Sequence, residues 1–479
     1  MTQEETSKAI PLCIDLDGTL LKTDMLWESL LLLIKKKIFY VLFLPFWLAK
    51  GRASFKHEVA KRVTIEPQTL PYRLEVLSYL ETQKKKGRTL ILVTASDVQI
   101  AGSIADEVGL FSDVLASDQT INLKGVKKQK VLDDRFGRGG YDYIGNAKSD
   151  VPIWRHAHSA IVVGSSHFQR QVSKIVSVTD VFETKSVTLK TLIRVLRLQQ
   201  WVKNLLLFVP IIAAHLITDF NKLLNAFFGF FAFGLCASSV YIVNDLLDLT
   251  ADRVHPEKRK RPLAASDVPI AWGFCLFIFL LMAGLSVAFS VSLFLGLAVF
   301  IYLILANGYS IYLKRIALID IIMLSFFYTI RMYSGGLAAE VPVSFWLLAF
   351  SVFLFFSLGI AKRYVALHYK TNKGVDTTKG RGYDPHDLQM LSHFGVISGF
   401  LSVLILALYI NSMTGGGGDL YRRPQYLWLM CLVLLYWICR IWLLVGREKM
   451  IEDPVEFAVK DKQSYIIAVL VVITMFFAI

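Results

Sequence analysis

Hydrophobic and polar positions follow two rhythms along this chain of 479 residues. Up to about residue 190, short apolar runs end in polar clusters: Leu12-Cys-Ile before Asp15, Leu90-Ile-Leu-Val before Thr94, and Tyr141-Asp-Tyr-Ile before Gly145. Charged amphipathic stretches separate them, a pattern that predicts buried parallel strands alternating with helices. Beyond residue 190 the rhythm lengthens. Nine apolar stretches, near 193–217, 222–249, 268–288, 289–311, 316–338, 343–361, 394–412, 424–445 and 463–479, approach the ~20 residues a helix needs to cross a bilayer. The expected fold is multidomain. An α/β Rossmann-like domain occupies 1–185, and an all-α integral membrane domain of about nine transmembrane helices occupies 186–479. Pro210 interrupts the first of the nine stretches.

The segment from Leu26 to Ala49 is also very apolar, but Lys35-Lys36-Lys37 divides it. One crossing here would place Asp15 and Thr94 on opposite sides of a membrane. Amphipathic helices lying on the bilayer or on the second domain are expected instead. Met1 to Lys8 is polar and Ile10 to Ile14 is too short for a leader's apolar core, so no signal peptide is expected. Alternate loops of the membrane half are basic: Arg253 to Arg261, Lys314-Arg315, Lys362 to Arg381 and Arg447 to Lys462. By the positive-inside rule these face the cytoplasm. The expectation is a multi-pass protein of the cytoplasmic (inner) membrane with its N-terminal domain in the cytoplasm.

Composition narrows the function classes. The chain is 54% hydrophobic and 19% charged, below the ~25% charged of soluble proteins, which excludes a disordered chain and a wholly soluble enzyme. The net charge of +14 is read as basic loops and phosphate sites, with no nucleic-acid partner. The five cysteines form no CxxC pair, which argues against a disulfide framework and a zinc site. His156 and His158 form a lone HxH. Association into homo-oligomers stays open.

Residues 11–20 read PLCIDLDGTL, a strand running into two aspartates and a glycine turn. A carboxylate at a strand's C-terminal end beside Mg²⁺ can attack phosphorus, and an acid two residues on can protonate the leaving group. Downstream, Thr94 ends a second strand, Lys128 follows Gly125 at a helix start, and Gly145-Asn146 and Asp150 follow a third. In an open α/β sheet such strand ends share one crevice. This order resembles the haloacid dehalogenase-like (HAD) superfamily of phosphatases across roughly residues 9–180. The resemblance implies Asp15 as nucleophile, Asp17 as acid/base, Thr94 and Lys128 as phosphoryl ligands, Mg²⁺ among Asp15, Asp17, Asn146 and Asp150, and a helical cap at about 22–80. Lys127 and Lys130 rival Lys128. Asn146 stands where the family usually has aspartate, removing one negative charge from the metal site and leaving open a catalytically inert domain.

In the membrane half the informative stretch runs from Asn244 to Pro262: NDLLDLTADRVHPEKRKRP. Asp245, Asp248 and Asp252 at i, i+3 and i+7 are expected on one helical face. Acids near membrane depth default to a functional reading, and Mg²⁺ favours a few carboxylates with substrate phosphate oxygens. Lys258 and Arg261 follow within phosphate reach, whereas Arg259 and Lys260 are expected to snorkel at the interface. The pattern resembles the UbiA-type membrane prenyltransferase superfamily, and within it the decaprenyl-phosphate phosphoribosyltransferase branch. The motifs Leu196-Arg-Leu-Gln-Gln-Trp201-Val-Lys203-Asn204, Tyr309 to Lys314, Arg331 to Gly336 and Lys362-Arg363 point the same way. Prenyl-diphosphate branches usually carry a second aspartate cluster, and the equivalent region here has only Asp320.

The resemblance implies a Mg²⁺-dependent enzyme that transfers 5-phosphoribose from phosphoribosyl diphosphate to a polyprenyl phosphate. Asn244, Asp245, Asp248 and Asp252 would hold the metal, with Asp245 and Asp248 catalytic. Lys203, Asn204, Lys258, Arg261, Tyr309, Lys314, Arg331 and Lys362 would bind substrate, since two anionic substrates in one cavity need several cations. The fused phosphatase would then remove the 5-phosphate, leaving polyprenyl phosphoryl ribose. Two alternatives remain open: a prenyltransferase joining an isoprenyl diphosphate to an aromatic acceptor beside a regulatory or inert HAD domain, and a structural pairing of Arg331. Arg440 is expected to be structural.

Overall fold

The computed structural model describes residues 10–184, 186–373, 382–412, 421–449 and 454–478. The chain divides into two compact units, one of Met1–Val195 with Ile242–Leu276, the other of Leu196–Tyr241 with Phe277–Ile479.

The first unit is built on six parallel strands: β1 (Leu12–Ile14), β2 (Leu90–Asp97), β3 (Asp113–Ser117), β4 (Asp142–Gly145), β5 (Ser159–Gly164) and β6 (Val178–Glu183). Their spatial order is β3-β2-β1-β4-β5-β6. The strands β1, β4 and β5 are buried throughout, which is why they read as unbroken apolar runs rather than alternating ones. Leu12, Ile14 and Leu92 pack on one side of the sheet, and Cys13, Val93 and Tyr143 on the other. The order reverses direction at β1, between β2 and β4. That switch point opens a crevice at the C-terminal strand ends. Helices Met25–Lys36, Leu44–Ala49 and Arg52–Ala60 are inserted between β1 and β2. Trp47 and Val59 pack on Leu33 to give the insertion its own small core.

The apolar stretches beyond residue 190 do not form nine equal spans among the described residues. Among the described residues, seven helices are long and apolar enough to cross a membrane: Phe220–Leu247, Ile270–Val291, Leu293–Ile311, Ile319–Ala339, Phe345–His368, Pro385–Ser412 and Pro424–Gly446. The first expected span is instead a pair, Leu189–Leu196 and Leu198–Ala213, bent by 49°. The bend falls at Arg197, whose φ of 52° cannot continue an α-helix. Eleven residues from Leu198 to Phe208 then wind as a 3₁₀ helix. The ninth stretch forms a helix of 17 residues, Lys462–Ala478.

Candidate functional site

Three strand ends and one helix converge on the N-terminal crevice. The backbone N–H of Asp15 donates to Ile144 O at 3.0 Å, placing the carboxylate just beyond β1. Gly18 follows with φ +75°, and a Cβ there would lie 2.0 Å from Asn146 Nδ2. Only glycine lets the aspartate loop close against the loop after β4. Thr19 Oγ1 lies within hydrogen-bond reach of both Asp15 Oδ2 (3.3 Å) and Asn146 Oδ1 (3.2 Å).

Lys128, 2% exposed, donates from Nζ to Asp15 Oδ1 at 2.6 Å, to Val93 O at 3.0 Å and to Tyr143 Oη at 3.0 Å. Its rivals Lys127 and Lys130 are exposed on the same helix. Asp17 accepts from Met25 N at 2.8 Å and from Ser96 Oγ at 2.7 Å. Burial, with Asp24 and Asp15 alongside, pushes the Asp17 carboxyl up to about 7. It is therefore poised to hold a proton near neutrality, as a general acid must. Asp150 accepts from the N–H groups of Asn146 and Ala147 at 3.1 and 3.0 Å. Burial, and then the neighbouring Asp15, pushes its carboxyl up to about 6. Hard oxygen donors whose ionisation is opposed by one another suit a divalent cation such as Mg²⁺, which would relieve that repulsion. Among the described residues no group of three or more His, Cys, Asp or Glu is already arranged around a metal position.

Thr94 takes a different place from the one its motif suggests. It is fully buried, and its Oγ1 accepts from Ser96 N at 3.0 Å. Ala95 and Ser96 form the crevice wall in its stead. Three further cations went unnoticed in the sequence: Lys124, before the helix of Lys128, and two on the insertion. Arg52 and Lys56, four residues apart on one helix of the insertion, line the same crevice. Lys56 Nζ donates to Ala95 O at 2.6 Å and Asn122 Oδ1 at 3.1 Å. Their i, i+4 spacing was the available signal.

The aspartate-rich segment belongs to the first unit. Its three acids do not stand on one continuous helix. The long helix ends at Leu247, Asp248 has φ −97° and ψ 10°, and a short helix Leu249–Val254 follows. Arg261 Nη1 joins Asp245 Oδ1 (3.1 Å) to Asp252 Oδ2 (2.6 Å). Lys258 Nζ is 3.9 Å from Asp252 Oδ1. Arg259 and Lys260 are exposed, and Lys260 Nζ lies 3.1 Å from Glu257 Oε2. Asn244 and Asp248 are half-buried. The oxygen-rich donor set, already bridged by a guanidinium, has the charge and hardness to accept Mg²⁺. Arg253 points elsewhere. Its guanidinium grips both carboxylate oxygens of Glu28, at 3.2 and 2.5 Å, with both side chains nearly buried at 7% and 4% exposure. Glu28 lies in the first helix after the Asp17 loop and also accepts from Thr23 Oγ1 at 2.8 Å.

In the second unit the motif around Trp201 docks on the first long helix: Trp201 Nε1 donates to Ser238 Oγ at 3.0 Å. Gly335 permits the next approach. A Cβ there would meet Leu207 O at 2.0 Å, so helix Ile319–Ala339 lies directly against the 3₁₀ segment. That approach brings Arg331 to Asn204. Arg331, 5% exposed, donates to Asn204 Oδ1 at 2.9 Å, to Tyr302 Oη at 3.0 Å and to Phe327 O. All of these partners are neutral, and among the described residues no carboxylate pairs with it. Asn204 Nδ2 and Ser334 Oγ, both buried, lack hydrogen-bond partners.

Asp320 pairs with Arg363, not Arg331: Arg363 Nε lies 2.5 Å from Asp320 Oδ2. Tyr383 Oη also donates to Asp320, and Arg363 Nη2 donates to Tyr309 Oη at 3.1 Å. Lys203 Nζ sits 6.0 Å from the ring centre of Tyr328. Lys314 and Lys362 are half-buried, and it is the neighbour of Lys362, Arg363, that is enclosed. Arg440 forms a two-pronged pair with Asp461 at 2.7 and 2.9 Å, a structural role.

The chain is similar to several known proteins. It is 36% identical over 97% of its length to an uncharacterized protein of Sinorhizobium fredii, covering 90% of that protein. It is 35% identical to the decaprenyl-phosphate phosphoribosyltransferase of Corynebacterium glutamicum, over 48% of this chain and 71% of that one. A solved UbiA homolog from Archaeoglobus fulgidus bound to DMAPP and Mg²⁺ aligns with 60% of this chain and 98% of its own, at 16% identity and a TM-score of 0.47. Residues 206–458 match the UbiA prenyltransferase family, and the chain, an integral membrane protein with several transmembrane helices, belongs to that family.

Proposed function

We propose that the membrane half transfers 5-phosphoribose from phosphoribosyl diphosphate to a polyprenyl phosphate, releasing diphosphate, and that the N-terminal domain is a HAD-type phosphatase that then removes the 5-phosphate. The observation that carries the first step is Arg331. A guanidinium buried in a membrane domain among neutral partners, beside an unpartnered amide N–H₂, is costly without an anion. Two anionic substrates supply that charge. The 35% identity to a decaprenyl-phosphate phosphoribosyltransferase supports the choice of donor.

Mg²⁺, held by Asp245, Asp248, Asn244 and Asp252, would neutralise the diphosphate leaving group. Arg331, with Asn204, Lys203 and Tyr309, orients phosphate oxygens; Lys258, Arg261, Lys314 and Lys362 supply further positive charge. The attacking phosphate is already an anion, so no general base is required. The residues act by positioning and by electrostatic stabilisation as the C1–O bond stretches.

In the N-terminal crevice the Asp15 carboxylate attacks the 5-phosphate phosphorus. The ribose 5-oxygen leaves with the proton of Asp17, and Lys128 holds the phosphoryl oxygens. Water, deprotonated by Asp17, then cleaves the aspartyl phosphate and restores Asp15. The balance is one phosphate monoester and one water in, one alcohol and one inorganic phosphate out. Asn146 retains an oxygen donor at the position where the family usually has aspartate.

The test is mass spectrometry of the lipid product formed by purified full-length protein with phosphoribosyl diphosphate, a polyprenyl phosphate and Mg²⁺. Wild type is expected to yield polyprenyl phosphoryl ribose. The family description favours one other donor class. Turnover of an isoprenyl diphosphate with an aromatic acceptor, and none of phosphoribosyl diphosphate, selects that reading instead.

A further inference from the structure

The insertion between β1 and β2 carries a surface that the fold does not use. Ile38–Phe43 and Leu44–Ala49 form two short helices in succession. Phe39 is 74% exposed, Phe46 69%, Leu42 68%, Ile38 61% and Leu48 54%. Twelve residues cannot span a bilayer, which takes ~20. The strip is also not a loosely folded end. On its inner side Trp47 is buried against Leu33 and Val59, with the Arg62 guanidinium 4.5 Å over its ring. An exposed apolar patch on a well-packed base marks an interaction surface.

Its surroundings identify the partner. Lys35, Lys36 and Lys37 lead into the strip, Lys50 and Arg52 lead out, and all five are exposed. Large apolar side chains fringed by cations match an anionic lipid surface. A protein partner of ordinary composition offers no such continuous negative plane.

The strip is also continuous with the catalytic crevice. Leu48 belongs to both: it lies at the end of the apolar strip and lines the crevice that contains Asp15 and Asp17. Phe55 adds a second apolar wall, and Arg52, Lys56 and Lys124 supply three cations besides Lys128. Lys128 is the cation hydrogen-bonded to Asp15. Three more cations and an apolar lip describe a substrate with a second anionic group and a hydrocarbon tail.

We infer that the insertion docks on the anionic bilayer and that the crevice draws its substrate, a phosphate monoester carrying a second phosphate and a lipid tail, directly from that surface. This rests on the phosphatase reading proposed above and names where its substrate resides.

The experiment uses the full-length protein in lipid nanodiscs containing phosphatidylglycerol. The substitution Leu42→Cys, in a background with Cys275→Ser and Cys439→Ser, is labelled with an environment-sensitive fluorophore, and lipids bearing a doxyl quencher are added. Strong quenching is expected, weakened severalfold when Lys35, Lys36 and Lys37 are changed to Gln or when the lipid is wholly zwitterionic. Hydrolysis is measured separately on p-nitrophenyl phosphate and on the lipid product bearing 5-phosphoribose. The triple change Phe39→Ser, Leu42→Ser, Phe46→Ser is expected to slow the lipid substrate at least tenfold and to leave p-nitrophenyl phosphate within twofold. Absence of doxyl quenching, or equal loss on both substrates, overturns the inference. So does label protection that rises with protein concentration in detergent, which marks contact between copies. If wild type hydrolyses neither substrate, the phosphatase reading has failed and delivery with it, while quenching still decides whether the strip enters lipid.

Discussion

The N-terminal crevice and the membrane half handle buried charge in opposite ways. In the crevice the carboxylate proposed as nucleophile has its counter-ion in place, Asp15 with Lys128 at 2.6 Å. In the membrane half one arginine, Arg363, is matched by Asp320 at 2.5 Å, whereas Arg331 is surrounded by neutral oxygens. A matched pair supports itself and is complete without ligand. An arginine among dipoles keeps its charge available for something that arrives. Within the membrane half the contrast distinguishes Arg363, whose charge is met inside the protein, from Arg331, whose charge is not, a distinction that motif membership alone does not draw.

Four substitutions sharpen or break this contrast. The largest effect is expected from Asp15→Asn: dephosphorylation falls by on the order of 10³-fold or more, as for loss of a nucleophile, while phosphoribosyl transfer continues. Mass spectrometry then shows a lipid that retains its 5-phosphate. A product unchanged in mass would mean that Asp15 does not act on it.

Next comes Arg363→Met, which takes the guanidinium away from a fully buried Asp320 and is expected to cost about 3–5 kcal/mol of stability. Thermal unfolding in detergent reads it, and adding Asp320→Asn is expected to recover most of the loss. Failure of that rescue would remove Arg363 from the frame and place it with the ligand-facing groups.

Arg331→Met is expected to lower transfer by about 10²-fold, the worth of one or two hydrogen bonds to a charged group, with little change in unfolding temperature. Arg331→Lys keeps the charge but not the planar fork and should fall between. An unfolding shift as large as that of Arg363→Met would erase the contrast.

The smallest effect is expected from Glu28→Gln, which leaves Arg253 hydrogen-bonded but unpaired. A loss of about 1–2 kcal/mol should show in unfolding and as a modest drop in transfer, although Glu28 lies far from the aspartate-rich segment in sequence.

Much of this was legible in the chain, and the exceptions have physical causes. The crevice could be read because each contributor sits at the end of its own apolar run, so local pattern alone places Asp15, Asn146 and Asp150 at strand ends. Lys128 was singled out among three lysines only by the packing of its helix against β2. The pairings of Arg363 and Glu28 were invisible because the partners lie 43 and 225 residues away, and no periodicity spans such distances. The break at Asp248 carries no Gly or Pro to announce it. What the structure shows there is Arg261 bridging the acids on either side of the break. The bend at Arg197 was hidden similarly, since an arginine in the left-handed region follows from tertiary packing and not from its own preference. Arg52 and Lys56 were overlooked because the insertion was read as cover rather than as crevice wall.

The Glu28–Arg253 pair has a consequence for how such a protein can be assembled from parts. The two residues stand 225 positions apart in the sequence, and each is nearly enclosed where they meet. Both belong to the first unit, so a version of that unit cut at Val195 would leave Glu28 without its guanidinium and with the Thr23 hydroxyl still donating to it.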